Sequence, residues 1–279
     1  MDSTVLHNMA TFAYLFATFF YVAYLAFKNR AVGTLATLTA SAGVVVHAIG
    51  KGLRWVESYR MGIGHAPLSN MYESMSFFAL CVMAAYLVVE WRFKNKALGA
   101  VVAPIAFILL AANALLFPDD IRPLVPALQS DWLLYHVITS FVSYGAFAVS
   151  FGVSVLYLVK SKAEKKGLKE GSLLATFPDL KFLDEVNYKS VAVGFPLLSL
   201  GIITGAAWAN YAWGTYWSWD PKETWSLITW FVYAAYLHAR FTRGWAGKRA
   251  ALLSIIGFAA VVFTYFGVNF LLSGLHSYA

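Results

Sequence analysis

Six of the ten tryptophans lie in one stretch, residues 208–230, which reads WANYAWGTYWSWDPKETWSLITW. Scattered tryptophans are typical of a membrane-interface girdle, but a cluster this dense favours a binding surface for a large planar ligand, because offset aromatic stacking adds about 0.5–1.5 kcal/mol per pair beyond burial. Trp213 and Trp217, four residues apart, are predicted to share one helical face and to form a flat indole platform. The residues assigned to this surface are Trp208, Trp213, Trp217, Trp219, Asp220 and Trp225.

Two histidines are predicted to lie at the same membrane depth as the tryptophans. His136 ends the segment LVPALQSDWLLYH, and His276 follows an apolar run in GVNFLLSGLHSYA. Neutral imidazole is a common axial ligand of heme iron. The pair flanking a tryptophan surface therefore predicts a heme site with His136 and His276 as metal ligands.

His238 is a third candidate ligand, near the opposite end of its helix in TWSLITWFVYAAYLHAR. An ionisable residue within a membrane span is a functional candidate. Its estimated depth differs from that of His47 by roughly 15–20 Å, at 1.5 Å per helical residue. These two should not share one iron, so a partner ligand for His238 is expected from another subunit. His47 is expected to be a packed polar residue and His65 to organise its loop, while His7 is given no role.

The remaining polar chemistry is sparse. The single cysteine, Cys81, lies in an apolar run, so no disulfide, CxxC pair or cysteine metal cluster is expected and thiol chemistry must belong to a partner. No catalytic acid or base is assigned. Asp220, Lys222 and Glu223 are polar enough to contact a heme propionate or an incoming peptide, but each is also explained as a charge at a helix start.

The elements that must position these residues are membrane helices. The 279 residues are 60% hydrophobic and 13% charged, whereas soluble domains are roughly 45–50% apolar and 25% charged. Runs of about 20 apolar residues, long enough to cross a bilayer, predict an all-α, polytopic integral membrane protein of about eight spans in a single domain, residues 1–279. The spans are placed at 9–27, 32–53, 71–91, 97–116, 135–159, 190–209, 222–240 and 250–270, and the polar stretch 160–189 is assigned to a cytoplasmic loop.

The distribution of positive charge predicts the orientation. Sixteen of the 21 Lys and Arg residues fall in the loops of one side, which the positive-inside bias identifies as cytoplasmic. Both termini and the tryptophan-rich segment are then extracytoplasmic. The net charge of +7 is explained in the same way, and no nucleic-acid partner is expected.

These motifs resemble a known family, the CcsA or ResC type component of the system II cytochrome c biogenesis machinery of bacteria and chloroplasts. The segment WGTYWSWDPKETWSLITW resembles the WWD domain of that family, here placed at residues 208–225. The resemblance extends through GHAPLSNMYES, VPALQSDWLLYH, GAAWAN, YLHAR and GVNFLLSGLHSY, from about residue 54 to the end. Helix 1 and most of helix 2 match only in hydrophobic character.

The resemblance implies a role for individual residues. His136 and His276 match the two histidines that ligate heme b on the outer side, and Trp213, Trp217, Trp219 and Asp220 match the segment that binds the macrocycle. His238 matches a transmembrane histidine thought to hold heme in transit, with its partner histidine in a CcsB or ResB type subunit. The implied activity is that of a cytochrome c synthase, or heme lyase, which attaches heme to the CxxCH motif of apocytochrome c.

The resemblance also implies a setting. A thioredoxin-like protein is expected to keep the acceptor thiols reduced, and the location is the bacterial cytoplasmic membrane, or the thylakoid membrane if the gene is in a plastid. Three alternatives are weighed against a synthase. A heme handler that loads a separate chaperone is the nearest; a cytochrome b-like electron carrier would need ligand pairs on facing helices, and a transporter would be expected to show repeat symmetry.

Overall fold

The computed structural model describes residues 2–169, 171–272 and 274, and over these residues it contains eight long helices and no strand. The all-α prediction is therefore confirmed. The long helices are α1 (Ser3–Phe27), α2 (Arg30–Arg60), α3 (Met71–Phe93), α4 (Gly99–Leu116), α5 (Asp131–Lys165), α6 (Leu180–Trp213), α7 (Pro221–Arg243) and α8 (Lys248–Val262). A π-helical turn, Phe263–Gly267, joins α8 to the short α9, Val268–Leu271.

Seven helices in the described part of the chain are long and apolar enough to cross a membrane, with α8 counted through to Leu271. This identifies a polytopic membrane protein. The exception among the eight predicted spans is α7, which is long enough but less apolar. It carries Lys222 and Glu223 in its first turn and Arg240 and Arg243 in its last, so its two ends are polar.

Capping residues set the boundaries of the helices. Asn70 accepts a hydrogen bond from the Glu73 backbone at the start of α3, at 2.8 Å. Asp220 caps α7 and forms a reciprocal capping box with Glu223, which satisfies backbone donors that a helix start leaves unpaired. Pro221 follows in the first helical position, where its missing N–H costs nothing. The predicted start of this helix at Asp220 and Pro221 is therefore confirmed.

The polar stretch 160–189, expected to be a loop, is helical at both ends. Helix α5 continues to Lys165 and α6 begins at Leu180, so the connection is much shorter than expected. Charges of opposite sign one turn apart support these extensions, as in the 2.6 Å pair between Lys189 and Glu185. Lys160 is buried and donates to the carbonyl of Phe177 at 2.6 Å, which packs the connection against α5.

Helix α5 is the centre of the bundle and packs against α3, α4, α6 and α8. Close approach depends on small residues, as is usual where lipid supplies no hydrophobic drive between helices. Gly194 of α6 faces the Phe147 ring, and a Cβ there would come within 2.6 Å of it. The Phe147 ring also stacks on Tyr233 of α7, with ring centroids 3.6 Å apart and an interplanar angle of 7°.

Hydrogen bonds gather the connecting segments at two opposite ends of the bundle. At one end Ser3 donates to Glu57 and Arg54 donates to the carbonyls of Asp119 and Asp120. At the other end Arg240 pairs with Asp184 at 2.7 Å. The connecting segments that meet at each end are the same ones that the count of Lys and Arg assigned to one side of the membrane. The tryptophan-rich segment lies at the end that carries Ser3 and Arg54.

Candidate functional site

A large cavity opens at the end of the bundle that carries the tryptophan-rich segment. It contains about 1250 Å³ of empty space, counting its open mouth. Its walls come from the start of α3, the first turns of α5, the second half of α6, the 214–226 region and the π-helical turn. The lining is mainly apolar, with convergent polar groups from His136, Lys222, Glu223 and Asn269.

His136 lies in the second turn of α5 with its ring in the cavity wall. Its Nδ1 donates to the main-chain carbonyl of Gly201 in α6, at 2.7 Å. A carbonyl can only accept, so this bond assigns the proton of the neutral ring to Nδ1 and the lone pair to Nε2. A metal-binding histidine is commonly oriented in this way, by a hydrogen bond from its other nitrogen.

Gly205 gives the imidazole its space. A Cβ at this position would lie 2.7 Å from Nδ1 of His136, a distance that a side chain does not tolerate. One turn further along α6, the Trp208 ring stacks on the imidazole at 5.9 Å and 20°. Helix α6 therefore supplies the hydrogen bond, the clearance and the aromatic neighbour of His136.

Trp208 is almost fully buried, with 3% of its surface exposed. Its indole N–H donates to the carbonyl of Ala127 at 2.7 Å, which ties α6 to the segment before α5. Trp213 packs against it at 5.1 Å with an interplanar angle of 59°. Trp208 thus forms part of the cavity wall and also holds a loop in place.

The prediction that Trp213 and Trp217 share a helical face is wrong. Helix α6 ends at Trp213, because Gly214 adopts a left-handed conformation with φ of 75°, and Trp217 lies in the connecting segment. The Trp217 ring lines the cavity and is perpendicular to Trp219, at 5.7 Å and 89°. The flat platform is also wrong, since the indoles meet at steep angles.

The remaining residues of the segment have different environments. Trp219 is 68% exposed and has a positive φ of 61°. Trp225 packs on Phe263 of the π-helical turn, with ring centroids 4.1 Å apart. Asp220 is buried and accepts a hydrogen bond from the Lys222 backbone at 2.9 Å. Of the six residues assigned to the surface, the described contacts place Trp208 and Trp217 in the cavity wall.

Lys222 places a cation in the cavity wall, where its Nζ donates to Asn269 Oδ1 at 2.8 Å. Asn269 belongs to α9, so this bond joins the start of α7 to the last described turn of the chain. Glu223 faces the same cavity, but its Oε2 accepts from the Ser218 backbone at 2.8 Å. Lys222 is thus the cation in this wall that could meet an anionic ligand.

The other histidines are dispersed. His276 lies outside the described residues. His238 is exposed on α7, far along that helix from Lys222. His47 is buried between α1 and α3, within 3.2 Å of the Tyr14 hydroxyl and 2.8 Å of Ser76 Oγ, as expected of a packed polar residue. His7 is also buried, with its ring edge-on to His47 at 5.3 Å.

His65 and its neighbours organise the loops beside the cavity. Its Nε2 donates to the carbonyl of Arg122 at 2.9 Å, which joins two connecting segments. Sequence reasoning missed the buried ion pair between Arg54 and Glu73, at 2.9 Å, which holds the same region. The sequence does contain a sign of this pair, because a charged residue within a membrane span is usually paired with another polar group. Gly205 and Asn269 were also missed.

These features define a polytopic α-helical membrane protein with a tryptophan-lined cavity at one end of its bundle. Residues 68–276 match the family model of the cytochrome C assembly proteins. The chain belongs to that family and is of the CcsA type, so its role is in cytochrome c biogenesis and involves heme.

Relatives described as cytochrome c biogenesis protein CcsA are similar over most of their length. The one from Guillardia theta is 46% identical and aligns with 81% of this chain and 79% of its own. The one from Gloeobacter violaceus is 38% identical, with 98% and 95% covered, and the one from Synechococcus elongatus is 40% identical, with 96% and 95% covered.

A solved structure, that of the cytochrome c heme lyase CcmF, has the same fold. The TM-score is 0.65 and the sequence identity 17%. The alignment covers 95% of this chain and 47% of that one, so the chain spans about half the length of the solved protein. The likeness shows the architecture of the helices alone.

Proposed function

We propose that the chain is the heme-handling subunit of a system II cytochrome c synthase, which holds heme in the described cavity for attachment to apocytochrome c. The observation that carries the proposal is the convergence of His136, Trp208, Trp217 and Lys222 on one large apolar cavity. Each residue suits one part of heme b, the imidazole for iron, the indoles for the macrocycle and the cation for a propionate.

His136 and His276 are the proposed axial ligands. The hydrogen bond to Gly201 supports this role for His136, since it leaves the lone pair of the neutral ring on Nε2. For His276 the support is the course of the chain, because Asn269 lines the cavity and only six residues separate it from His276. Trp213, Trp219, Asp220 and Trp225 are proposed to complete the region around the macrocycle.

The chemical step is the addition of a cysteine thiol to a heme vinyl group. The sulfur forms a bond to one vinyl carbon and the other carbon gains the proton, so that atoms balance without net oxidation or reduction. The thiols belong to the CxxCH motif of apocytochrome c, kept reduced by a thioredoxin-like protein. The contribution of this chain is placement, which raises effective concentration and fixes the reacting geometry.

Cys81 is not a reactant, because it is buried in α3 with 8% of its surface exposed. Glu223 is engaged with the backbone of its own helix start, and no residue is assigned as an acid or base. The proposal therefore depends on ligand placement alone.

His238 is proposed to bind heme in transit together with a histidine of a CcsB or ResB type subunit. Its exposure on α7, where Phe231 is also 57% exposed, supports a contact with another membrane protein. A polar imidazole facing lipid would be costly. A partner subunit on this side of α7 would remove that cost.

The cavity end is proposed to face outward, with both termini on that side, in the cytoplasmic membrane of a bacterium or the thylakoid membrane of a plastid. The excess of Lys and Arg at the opposite end supports this orientation. The cyanobacterial and algal sources of the CcsA relatives support the two membranes.

The test is the absorption spectrum of the detergent-purified protein, produced with its partner subunit and a CxxCH acceptor. We expect a bis-histidine heme spectrum that is reduced in His136→Ala and in His276→Ala, with the remainder contributed by the His238 site. Tyr135→Ala, an exposed neighbour on α5, is the control and should keep it. An unchanged spectrum in both histidine variants would remove the site. Detection of covalently attached heme on the acceptor in the same cells distinguishes a synthase from a protein that only loads a heme chaperone.

A further inference from the structure

A second cavity, which we term the outer groove, lies beside the candidate heme cavity. It is bounded by residues 55–69 on one side and 123–134 on the other, and it contains about 1280 Å³ of empty space, counting its mouth. Four residues line both cavities and form a shared wall: Leu68, Ser69, Leu128 and Leu133. A molecule in the outer groove would therefore be separated from a ligand in the heme cavity by a single layer of side chains.

Two buried cations of α2 hold the segments on both sides of the groove. Lys51 Nζ donates to the carbonyl of Pro67 at 3.3 Å. Arg54 donates to the carbonyls of Asp119 and Asp120 at 2.8 and 3.0 Å. With 8% and 1% of their surfaces exposed, these cations carry a large desolvation cost. Because both cations donate to main-chain carbonyls of the connecting segments, they fix the positions of these segments.

The same network reaches the shared wall. Arg54 Nε pairs with Glu73 Oε1 at 2.9 Å, and Glu73 Oε2 accepts from the backbone and the hydroxyl of Ser69, at 3.0 and 2.8 Å. At the edge of the groove, His65 Nε2 donates to the main-chain carbonyl of Arg122. Pro123 stiffens the second side. The groove is thus preorganised, which lowers the entropic cost of binding.

The position and lining of the groove suit a polypeptide from the aqueous phase. Helix α2 has 31 residues and is about 46 Å long, so its last turns extend beyond a hydrocarbon layer of roughly 30 Å. Tyr59, on these turns, lines the groove and is 63% exposed. Polar Gln129, Ser130 and Asp131 line the groove together with apolar side chains, a mixture that suits peptide groups better than a lipid or a second porphyrin.

We propose that the outer groove is the docking site of the apocytochrome segment beside the CxxCH motif, bound in extended form along the shared wall, so that the two cysteines reach heme through the open mouth of its cavity. This inference rests on the proposed function, since it assumes that heme occupies the neighbouring cavity. It assigns the acceptor peptide and the heme to two adjoining sites with one wall between them. Leu68, Ser69, Leu128 and Leu133 then become positioning residues that set which thiol meets which vinyl group.

The test is site-specific photo-crosslinking in the complete synthase, with a benzophenone amino acid at Tyr59 or Gln129. Both are exposed in the groove, so the substitutions do not disturb the core. The matched control carries the probe at Leu116, which is 69% exposed on α4. A CxxCH apocytochrome should form adducts at both groove positions and not at Leu116. A variant apocytochrome with alanines for cysteines should also crosslink, because docking precedes attachment.

Two results would overturn the docking site while leaving the heme proposal intact. One is the absence of groove adducts in cells where the wild-type synthase attaches heme. The other is an adduct with the companion subunit in place of apocytochrome, which would make the groove a subunit interface. As a second measurement, Ala66→Trp should narrow the groove and reduce attachment at least tenfold with the heme spectrum retained, whereas Ala114→Trp, at an exposed position of α4, should not. Normal attachment in Ala66→Trp would also refute the site.

Discussion

Gly205 of α6 lies directly against the imidazole of His136, so close that a Cβ would be 2.7 Å from Nδ1. That nitrogen is the one that donates to Gly201, one turn earlier on the same helix. The orientation of the proposed iron ligand therefore depends on the absence of a side chain at position 205. Sequence offers no direct sign of this, since glycines are common in membrane helices.

Gly205→Ala should weaken heme binding much more than it changes the stability of the fold. The new methyl group must displace the His136 ring and break its bond to Gly201. Loss of such an orienting bond typically costs about 10–100-fold in metal affinity. Alanine is at the same time the better helix former, by roughly 1 kcal/mol. Heme titration of the purified protein, followed by absorbance, measures the affinity, and a thermal melt monitors the fold.

The control for Gly205→Ala is Gly52→Ala in α2, where a Cβ would meet nothing within 4 Å. It should leave heme affinity unchanged. Equal affinity in Gly205→Ala and the wild type would show that the geometry around His136 does not govern binding.

Trp208→Phe should destabilise the protein, whereas Trp219→Phe should not. Phenylalanine cannot replace the indole N–H that reaches the Ala127 carbonyl, and a buried group left unpaired costs about 1–3 kcal/mol. Trp219 is 68% exposed, and exposed substitutions usually stay within about 0.5 kcal/mol. Thermal unfolding in one detergent compares the two. Equal melting temperatures would mean that the Trp208 hydrogen bond contributes no stability.

The helices were predictable because hydrophobic length is a strong signal in a membrane protein. Their ends were less so. The run of apolar residues stops near 159, but α5 continues to Lys165, since salt bridges one turn apart sustain a helix without apolar residues. The start of α7 was predicted correctly because Asp220, Pro221 and Glu223 form a local motif that needs no tertiary contact.

The site was predictable as a set of residues but not as a geometry. Spacing placed Trp213 and Trp217 on one helical face, yet a glycine between them ends the helix. The same role was predicted for Trp208 and Trp219, although Trp208 is buried in the cavity wall and Trp219 is exposed. Such differences arise from tertiary packing, which the composition of a segment does not record.

Lys222→Met should weaken heme binding, because the proposed propionate partner is removed while the alkyl chain is kept. Lys222 donates to Asn269 in the cavity wall, and a hydrogen bond to a charged group contributes about 1.5–3 kcal/mol, so the affinity should fall on the order of 10–100-fold. Lys222→Arg keeps the charge and should retain much of the affinity. A heme dimethyl ester, which lacks the propionate charge, should bind the wild type and Lys222→Met equally well.

If the ratio of wild-type affinity to Lys222→Met affinity is the same for heme as for its ester, Lys222 does not contact a propionate. A loss seen for both ligands would instead indicate that the bond to Asn269 shapes the cavity.

Arg54→Met should be the most destabilising of these changes. It leaves the Glu73 carboxylate, which has no exposed surface, without its cation, and breaking one side of a buried ion pair costs about 3–5 kcal/mol. The double variant Arg54→Met/Glu73→Gln should recover part of that loss, since no unpaired charge remains.

The control is Arg122→Met, which removes the exposed pair between Arg122 and Asp120. Their side chains are 67% and 63% exposed, and such pairs contribute roughly 0–1 kcal/mol. Thermal melts should therefore rank Arg122→Met nearest to the wild type, the double variant next and Arg54→Met last. If the double variant melts below Arg54→Met, the bonds of Glu73 to Ser69 stabilise the fold more than the ion pair does.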